Sequence, residues 1–257
     1  MGWTAQKGWS AEGSMAGRGE WSILTGISAL DAVTGGIPYG AITEIFGEDS
    51  CGKTSLALLI AAGVQRNGGV AVYMDFEHTL EAEFARALGV DPEELLVARP
   101  ETGEKAQQMA ELMMQNRCAN LIVFDTIAAM SPGDKAMECY AHSRMVSLML
   151  GQLAWRTRMA NTALVLVNHL RGRSREVVGD TELAAGGWAT ALRSSLRLRL
   201  ERAGGRQGGG GESVLVRVVK NERGAAGIEV EWALDDGPYG AAARAPQARP
   251  AGRGTDG

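Results

Sequence analysis

The sequence predicts an α/β protein with a largely parallel sheet flanked by helices and extended by antiparallel strands at its C-terminal end. Up to residue 193, short apolar runs alternate with segments that have helical spacing. Such runs are typical of parallel strands, which crossover helices bury on both faces. After residue 193, apolar and polar residues alternate strictly, which indicates antiparallel strands with one solvated face.

The hydrophobic pattern gives the parallel part in chain order. Strands are predicted where apolar and β-branched residues cluster, at residues 41–46, 70–74, 95–98, 121–124 and 163–167. Helices are predicted where apolar residues recur at helical spacing, at residues 53–65, in the stretch ending at 87, at 104–116 and at 143–159. The connections are therefore long enough for parallel crossovers.

The antiparallel part is predicted to contain three strands. Residues 196–200 and 214–218 form a hairpin around the glycine-rich segment 204–211, and residues 228–234 add the third strand. Glycine suits such a turn because it adopts positive φ without steric cost.

Composition indicates a single globular domain. The chain has 257 residues, of which 45% are hydrophobic and 22% charged, enough for a substantial core. We place this core at residues 21–240, between a flexible tail at residues 1–20 and a disordered tail at 241–257. There is no apolar run that could cross a bilayer and no signal-peptide pattern, so the predicted location is the cytoplasm, without a membrane partner.

Charge and metal-binding residue types leave the function open. The net charge is −4, yet residues 156–223 carry twelve Arg and one Lys against six acidic residues. This basic segment suits phosphate, but a solvated basic face explains it equally well. The three cysteines and three histidines are dispersed, which argues against a disulfide framework and a structural zinc site.

A phosphate-binding motif is the strongest single signal. Residues 47–54 read Gly-Glu-Asp-Ser-Cys-Gly-Lys-Thr and match G-x-x-x-x-G-K-[ST] between a predicted strand and a predicted helix. In this P-loop, backbone N–H groups and the helix N-terminus face the phosphates of ATP. Lys53 is predicted to reach the β- and γ-phosphates, and Thr54 to bind Mg²⁺. The predicted nucleotide-binding residues are Gly47, Glu48, Asp49, Ser50, Cys51, Gly52, Lys53, Thr54 and Ser55.

Two carboxylates follow predicted strands. Asp125 comes directly after the strand 121–124, where it can hold Mg²⁺; a helix cap or turn is the alternative. Glu77 follows the strand 70–74 and is expected at the same edge, beside the P-loop strand, where it can orient the water that attacks the γ-phosphate. From the residues alone, an exposed loop acid is an equally good interpretation of Glu77.

Several segments together resemble the bacterial RecA recombinase family and its phage relatives. They are residues 47–54, 75–78, 124–126, 167–169, 186–187 and 218–221, in the family's order and spacing from about residue 22 to 240. The resemblance implies a RecA-like P-loop core whose largely parallel sheet extends into antiparallel strands, in agreement with the periodicity.

The resemblance also implies catalytic roles. Glu77 falls on the family's catalytic glutamate, and His169 falls on the glutamine that senses the γ-phosphate and couples it to DNA. A histidine can still donate a hydrogen bond to phosphate; a packed core histidine is the alternative. Lys220 falls on a lysine that reaches the ATP of the neighbouring subunit. Glu222, with Arg223 beside it, stands where a second lysine is expected.

Two segments correspond to the family's loops that bind single-stranded DNA. The second loop, residues 170–185, offers arginines for phosphates and valines that can wedge between bases, namely Arg171, Arg173, Arg175, Val177 and Val178. The first loop, residues 131–142, offers Tyr140 to stack on a base. Without the resemblance, mobile surface segments are the simpler interpretation of both.

The function implied by the resemblance is a DNA-dependent ATPase that forms a homo-oligomeric filament on single-stranded DNA and exchanges strands in recombination and repair. One alternative is an accessory paralogue that binds ATP and regulates a second recombinase. Another is a ring ATPase such as a helicase, which residues 218–221 disfavour. The family's long N-terminal helix and C-terminal domain have no counterpart in this sequence. Weaker self-assembly or a mediator is therefore expected, unless Trp3 and Trp9 anchor a neighbouring subunit.

Overall fold

A computed structural model of the chain describes residues 22–133, 138–170, 187–203, 213–233 and 249–250. A short 3-10 turn lies at Ile127–Ala129. In chain order the elements are β1 (Ser22–Ile23), α1 (Ser28–Thr34), β2 (Ile37–Pro38), β3 (Ile42–Gly47), α2 (Lys53–Arg66), β4 (Ala71–Asp75), α3 (Ala82–Ala87), β5 (Leu96–Ala98), α4 (Gly103–Gln115), β6 (Leu121–Asp125), α5 (Glu138–Ala160), β7 (Ala163–His169), α6 (Trp188–Arg193), β8 (Leu196–Ala203), β9 (Ser213–Asn221), β10 (Ile228–Ala233) and β11 (Arg249–Pro250).

The main sheet has nine strands in the order β11-β10-β9-β8-β3-β7-β6-β4-β5. The strands from β8 to β5 pair in parallel, and those from β8 to β11 pair antiparallel. The predicted fold class is therefore confirmed. The P-loop strand β3 lies in the middle, between β7 and β8.

Strand order differs from one expectation. Glu77 follows β4, and β4 is separated from β3 by β7 and β6. The prediction that the strand before Glu77 lies beside the P-loop strand is therefore wrong. The connection from β3 to β4 through α2 skips two positions in the sheet, and β6 and β7 later occupy them. The prediction failed because local hydrophobic patterns carry no information on strand order.

Two apolar layers cover the sheet. Alternate residues of each central strand point to opposite faces; on β6, Val123 joins the layer beneath α1, α2 and α3, and Ile122 joins the layer beneath α4 and α5. Helix α2 is the most enclosed helix in the first layer, and its residues from Leu56 to Val64 are all buried. At Gly63 a Cβ would lie 2.5 Å from the carbonyl oxygen of Leu24, so this close packing requires glycine.

Most predicted boundaries agree with the structure to within two residues, but α5 begins five residues before its predicted start, and β8 and β9 each extend three residues beyond their predicted ends. The helical stretch predicted after β4 is reduced to α3. The Asp75 carboxylate accepts hydrogen bonds from the N–H groups of Thr79 and Leu80, which holds the preceding segment as a loop. Helix α1 and the small β1–β2 sheet were not predicted, because each is too short to show periodicity.

The predicted tails lie almost entirely outside the described residues. Arg249–Pro250 is the exception, since it pairs antiparallel with β10 at Ile228 and Glu229, within the segment predicted to be disordered. Across the part of the chain that the structure describes, no helix combines the length and apolar character needed to span a membrane.

Two leucines on α5 offer a matched test of the second apolar layer. Leu150 is fully buried, whereas Leu148 is 58% exposed on the same helix. We expect Leu150→Ala to lower the free energy of unfolding by about 2–5 kcal/mol, because it removes packed apolar surface and leaves a cavity. Leu148→Ala should change it by less than about 0.5 kcal/mol. Denaturant titration measures both values, and equal effects would contradict the assigned burial.

Candidate functional site

The P-loop connects the carboxyl end of β3 to the first turn of α2. Ser50 and Gly52 adopt left-handed φ values of 57° and 89°, which curl the backbone before the helix begins. At Gly47 a Cβ would lie 2.2 Å from the carbonyl oxygen of Leu200, so only glycine fits. Because Gly52 has no capping side chain, the first N–H groups of α2 are available to an anion.

The Lys53 side chain is folded back over this loop. The residue is 5% exposed. Its ammonium donates to the carbonyl oxygen of Glu48, and the ammonium nitrogen lies 3.9 Å from the Cys51 sulfur. Burial raises the pKa of the Cys51 thiol, so that group stays neutral at ordinary pH. The Lys53 ammonium is thus a positive charge held against the loop, in a position where phosphate oxygens can replace a carbonyl oxygen as its acceptor.

A hydroxyl and a carboxylate meet beside the P-loop. The Thr54 hydroxyl donates to Asp125 Oδ2 at 2.9 Å, and the Tyr73 hydroxyl donates to the same oxygen. Burial raises the pKa of Asp125, and the hydrogen bonds from Tyr73 and Thr54 oppose that rise in part. Burial and the nearby Asp125 charge raise the pKa of Tyr73 well above its ordinary value, so Tyr73 remains a donor.

These oxygens suit a hard cation. Mg²⁺ commonly binds one or two protein oxygens and completes its shell with phosphate oxygens and water. Within the ranges that the structure describes, no group of three or more His, Cys, Asp and Glu side chains is arranged to hold a metal ion by itself. Thr54 and Asp125 therefore fit a cation that arrives with a nucleotide rather than a metal held by protein alone.

His169 lies between the P-loop and Glu77. Its Nδ1 is 2.6 Å from Asp49 Oδ1, and its Nε2 is 3.5 Å from Glu77 Oε1. The Leu170 N–H donates to the Gly47 carbonyl oxygen at 3.1 Å, which fixes the end of β7 against the P-loop. The imidazole is 26% exposed and is not packed in the core. The structure thus brings Glu77 to the P-loop through His169, although their strands are not neighbours.

Lys220 is not part of this cluster within a single chain. Its ammonium lies within hydrogen-bonding distance of carbonyl oxygens at the end of α6, those of Ser194 (2.6 Å), Ala191 (3.5 Å) and Leu192 (3.5 Å). It also pairs with Glu222 at 2.9 Å. Because the carbonyl end of a helix attracts cations, these contacts tie β9 to α6. The Arg223 guanidinium instead donates to the Tyr39 carbonyl oxygen at 3.2 Å.

The predicted DNA-binding residues are only partly described. The residues Arg171, Arg173, Arg175, Val177 and Val178 lie outside the described ranges. Tyr140 belongs to the first turn of α5, so the prediction that residues 131–142 form one loop is wrong for residues 138–142. The His142 ring helps to hold this turn, since its Nε2 lies 2.9 Å from the carbonyl oxygen of Ile127.

The sequence interpretation missed four polar residues that support the site. Tyr73 holds Asp125, and the three others form a buried cluster behind His169, namely Glu44, Asn168 and Arg197. In the sequence, each of these residues can be noticed only as a charged or polar residue within a strand whose apolar residues indicate that the strand is buried. Periodicity alone cannot tell whether such a residue faces a partner or solvent.

Comparison with known proteins identifies the family. The family described as the RecA N-terminal domain matches residues 19–235. This chain belongs to the RecA family. Relatives include protein RecA of Aquifex aeolicus strain VF5 (41% identical over 212 residues), Aquifex pyrophilus (40% over 212) and Francisella tularensis subsp. novicida strain U112 (36% over 213).

These alignments cover 78% of this chain and 59–61% of each RecA relative. The chain therefore spans about three fifths of the length of the curated RecA proteins that it matches. The resemblance inferred from the sequence motifs is confirmed.

Asp125→Asn tests how burial affects the carboxyl group beside Thr54. Because burial raises the pKa of Asp125 in the folded chain, the unfolded chain releases this proton at a lower pH. Between the unfolded and folded pKa values, the free energy of unfolding contributed by Asp125 falls as pH rises. Asparagine does not titrate, so without Mg²⁺ and nucleotide the variant should gain stability relative to the wild type across this window. Denaturant unfolding at a series of pH values measures the difference; a difference that stays constant with pH would contradict the raised pKa.

Proposed function

We propose that this chain is a DNA-dependent ATPase that assembles on single-stranded DNA and promotes homologous pairing and strand exchange in recombination and repair. The observation that carries the proposal is the convergence, at one edge of the sheet, of Lys53, the Thr54–Asp125 pair and the His169–Glu77 pair. Membership of the RecA family supports the same conclusion.

The P-loop fits the triphosphate of ATP. The left-handed turn at Gly52 and the free N–H groups of α2 offer donors to phosphate oxygens. Lys53 exchanges its Glu48 carbonyl acceptor for the β- and γ-phosphates. Thr54 and Asp125 would hold Mg²⁺, which would offset the negative charge of those phosphates. Tyr73 keeps the Asp125 carboxylate oriented toward Thr54.

Hydrolysis depends on Glu77 and His169 in this proposal. Glu77 orients the attacking water and accepts its proton. His169 already lies against Asp49 of the P-loop, so it can turn an imidazole N–H toward the γ-phosphate. β7 leads directly from His169 into residues 171–186, which carry the predicted DNA-binding arginines. Bound ATP would therefore favour the DNA-binding arrangement of that segment, and hydrolysis would reverse it.

Self-assembly is the third part of the proposal. ATP would lie between adjacent subunits of a homo-oligomeric filament, with Lys220 of the next subunit contacting the phosphates. To do so, Lys220 would have to leave the carbonyl groups at the end of α6.

A second candidate is an accessory RecA paralogue that binds ATP and acts through another recombinase. The ion pair between Lys220 and Glu222 favours it, because Glu222 retains within its own chain the lysine that a filament would need across the interface. This candidate predicts ATP binding with little stimulation by DNA.

Steady-state ATP hydrolysis with and without single-stranded DNA tests the proposal. We expect clear stimulation by DNA that is absent in Lys53→Ala. Glu77→Gln should lower the stimulated kcat by about a hundredfold or more, because it removes the general base. Glu83→Gln, which changes an exposed glutamate on α3, is the matched control and should retain activity. ATP binding without a response to DNA would reject the recombinase in favour of the accessory paralogue.

The DNA contact has its own test in the salt dependence of binding. A triple alanine variant at Arg171, Arg173 and Arg175 should bind labelled single-stranded DNA more weakly. The slope of log affinity against log salt should fall in magnitude by about 2, since each lost phosphate contact removes about 0.7. A charge-matched variant that replaces exposed arginines elsewhere, at Arg66, Arg86 and Arg158, should keep the wild-type slope. Equal slopes for the two triple variants would argue against this DNA-binding segment.

A further inference from the structure

Three polar residues form a cluster inside the sheet, behind the candidate site. Arg197 Nε donates to Glu44 Oε2 at 2.6 Å, with side chains 2% and 0% exposed. The Asn168 Nδ2 group donates to Glu44 Oε1 at 2.9 Å, and Asn168 is fully buried. The Arg197 guanidinium also lies 4.6 Å from the centre of the Phe46 ring. We call Arg197, Glu44 and Asn168 the buried polar unit.

The register of the central strands places these residues together. Glu44 on β3 is the direct partner of Arg197 on β8, and Asn168 on β7 pairs with Phe46. All three side chains point to the layer of α4 and α5, opposite the P-loop helix α2, because their apolar neighbours alternate between the two layers. The buried polar unit therefore joins three adjacent strands just before the edge where the candidate site lies.

The buried polar unit contacts the site through one backbone group. Asn168 Oδ1 accepts a hydrogen bond from the His169 N–H at 2.9 Å. The His169 imidazole in turn lies between Asp49 and Glu77. A chain of hydrogen bonds thus runs from a buried guanidinium to the backbone N–H of His169, the residue whose imidazole lies between the P-loop and Glu77.

Stability alone is a weak reason for such a unit. Removing two charges from water carries a large desolvation cost, and apolar side chains of similar volume often stabilise a core equally well. Ion pairs buried in this way are better attested as devices that fix one arrangement among several. The contact with His169 indicates which arrangement is fixed here.

We propose that the buried polar unit is a positioning device that sets His169 between Asp49 and Glu77. A guanidinium can only donate hydrogen bonds, so both Glu44 oxygens serve as acceptors, one for Arg197 Nε and one for Asn168 Nδ2. The Asn168 amide must then turn its NH₂ group toward Glu44, which leaves its oxygen facing the His169 N–H. This orientation fixes the last residue of β7 and the direction of its imidazole.

The consequence for catalysis rests on the proposed ATPase function, whereas the positioning itself does not. If His169 is displaced, Glu77 loses its link to the P-loop while Lys53, Thr54 and Asp125 keep theirs. Loss of the unit should therefore affect the rate of hydrolysis more than nucleotide binding.

The experiment compares three variants of the full chain. Glu44→Gln combined with Arg197→Met removes both charges without leaving an unpaired buried ion. Asn168→Ser keeps the ion pair and removes the amide link, and so tests the idea if the first variant fails to fold. The control is Glu111→Gln combined with Arg156→Met, which removes a partly buried ion pair of 3.5 Å between α4 and α5, away from the site.

The direct readout is the nuclear magnetic resonance spectrum of ¹⁵N-labelled histidine. The chain has three histidines, so the His169 signals can be assigned by replacing His78 and His142 in turn. We expect the His169 amide and imidazole signals to shift in both test variants and to stay unchanged in the control. His142, which contacts Ile127 elsewhere in the fold, should not shift in any of the three. Unchanged His169 signals in a folded test variant would overturn the proposal.

Kinetics supply the second readout. In both test variants we expect the DNA-stimulated kcat to fall about 10- to 100-fold, with KM for ATP within about threefold of the wild type. A lower melting temperature with unchanged kcat would mean that the unit serves only stability, and would overturn the proposal. If the wild-type chain hydrolyses no ATP, the proposed function fails, and the His169 signals alone decide the positioning role.

Discussion

The parallel pairing of β3 with β7 and β8 positions every part of the candidate site that lies at the P-loop. Its register sets Gly47 opposite both His169 and Leu200. The approach to Leu200 is so close that only glycine can end β3, and the approach to His169 brings the end of β7 against the P-loop. Because parallel strands end at the same edge of the sheet, this pairing places the P-loop and His169 together.

Two groups of polar side chains are buried, one on each face of the sheet, and they differ in what they contact. Beneath α2, Tyr73 and Thr54 donate hydrogen bonds to Asp125, and these bonds oppose the rise in its pKa that burial causes. On the opposite face, Glu44 and Arg197 neutralise one another inside the core. The first group can act directly on a ligand, whereas the second can act only through the backbone that it holds.

The sequence predicted the parts of the site that depend on local chemistry. The P-loop could be recognised because Gly47, Lys53 and Thr54 lie within eight consecutive residues. Their spacing is the one that a phosphate-binding loop requires. Asp125 could be placed because an acid at the end of an apolar strand must lie at the sheet edge. Tyr73, Asn168 and Arg197 could not be assigned roles, because their partners lie on other strands and no local pattern records strand order.

The fold class, most strand and helix positions, the P-loop motif and the family resemblance could all be read from the sequence, because each of these depends on periodicity or on short motifs. The three-dimensional fold was needed to show that β7 and β6 separate β3 from β4, that His169 bridges Asp49 and Glu77, and that Lys220 contacts the end of α6. The physical reason is that these contacts join residues far apart in the chain. Their distances are set by how strands pair and helices pack, which short-range patterns in a single sequence do not encode.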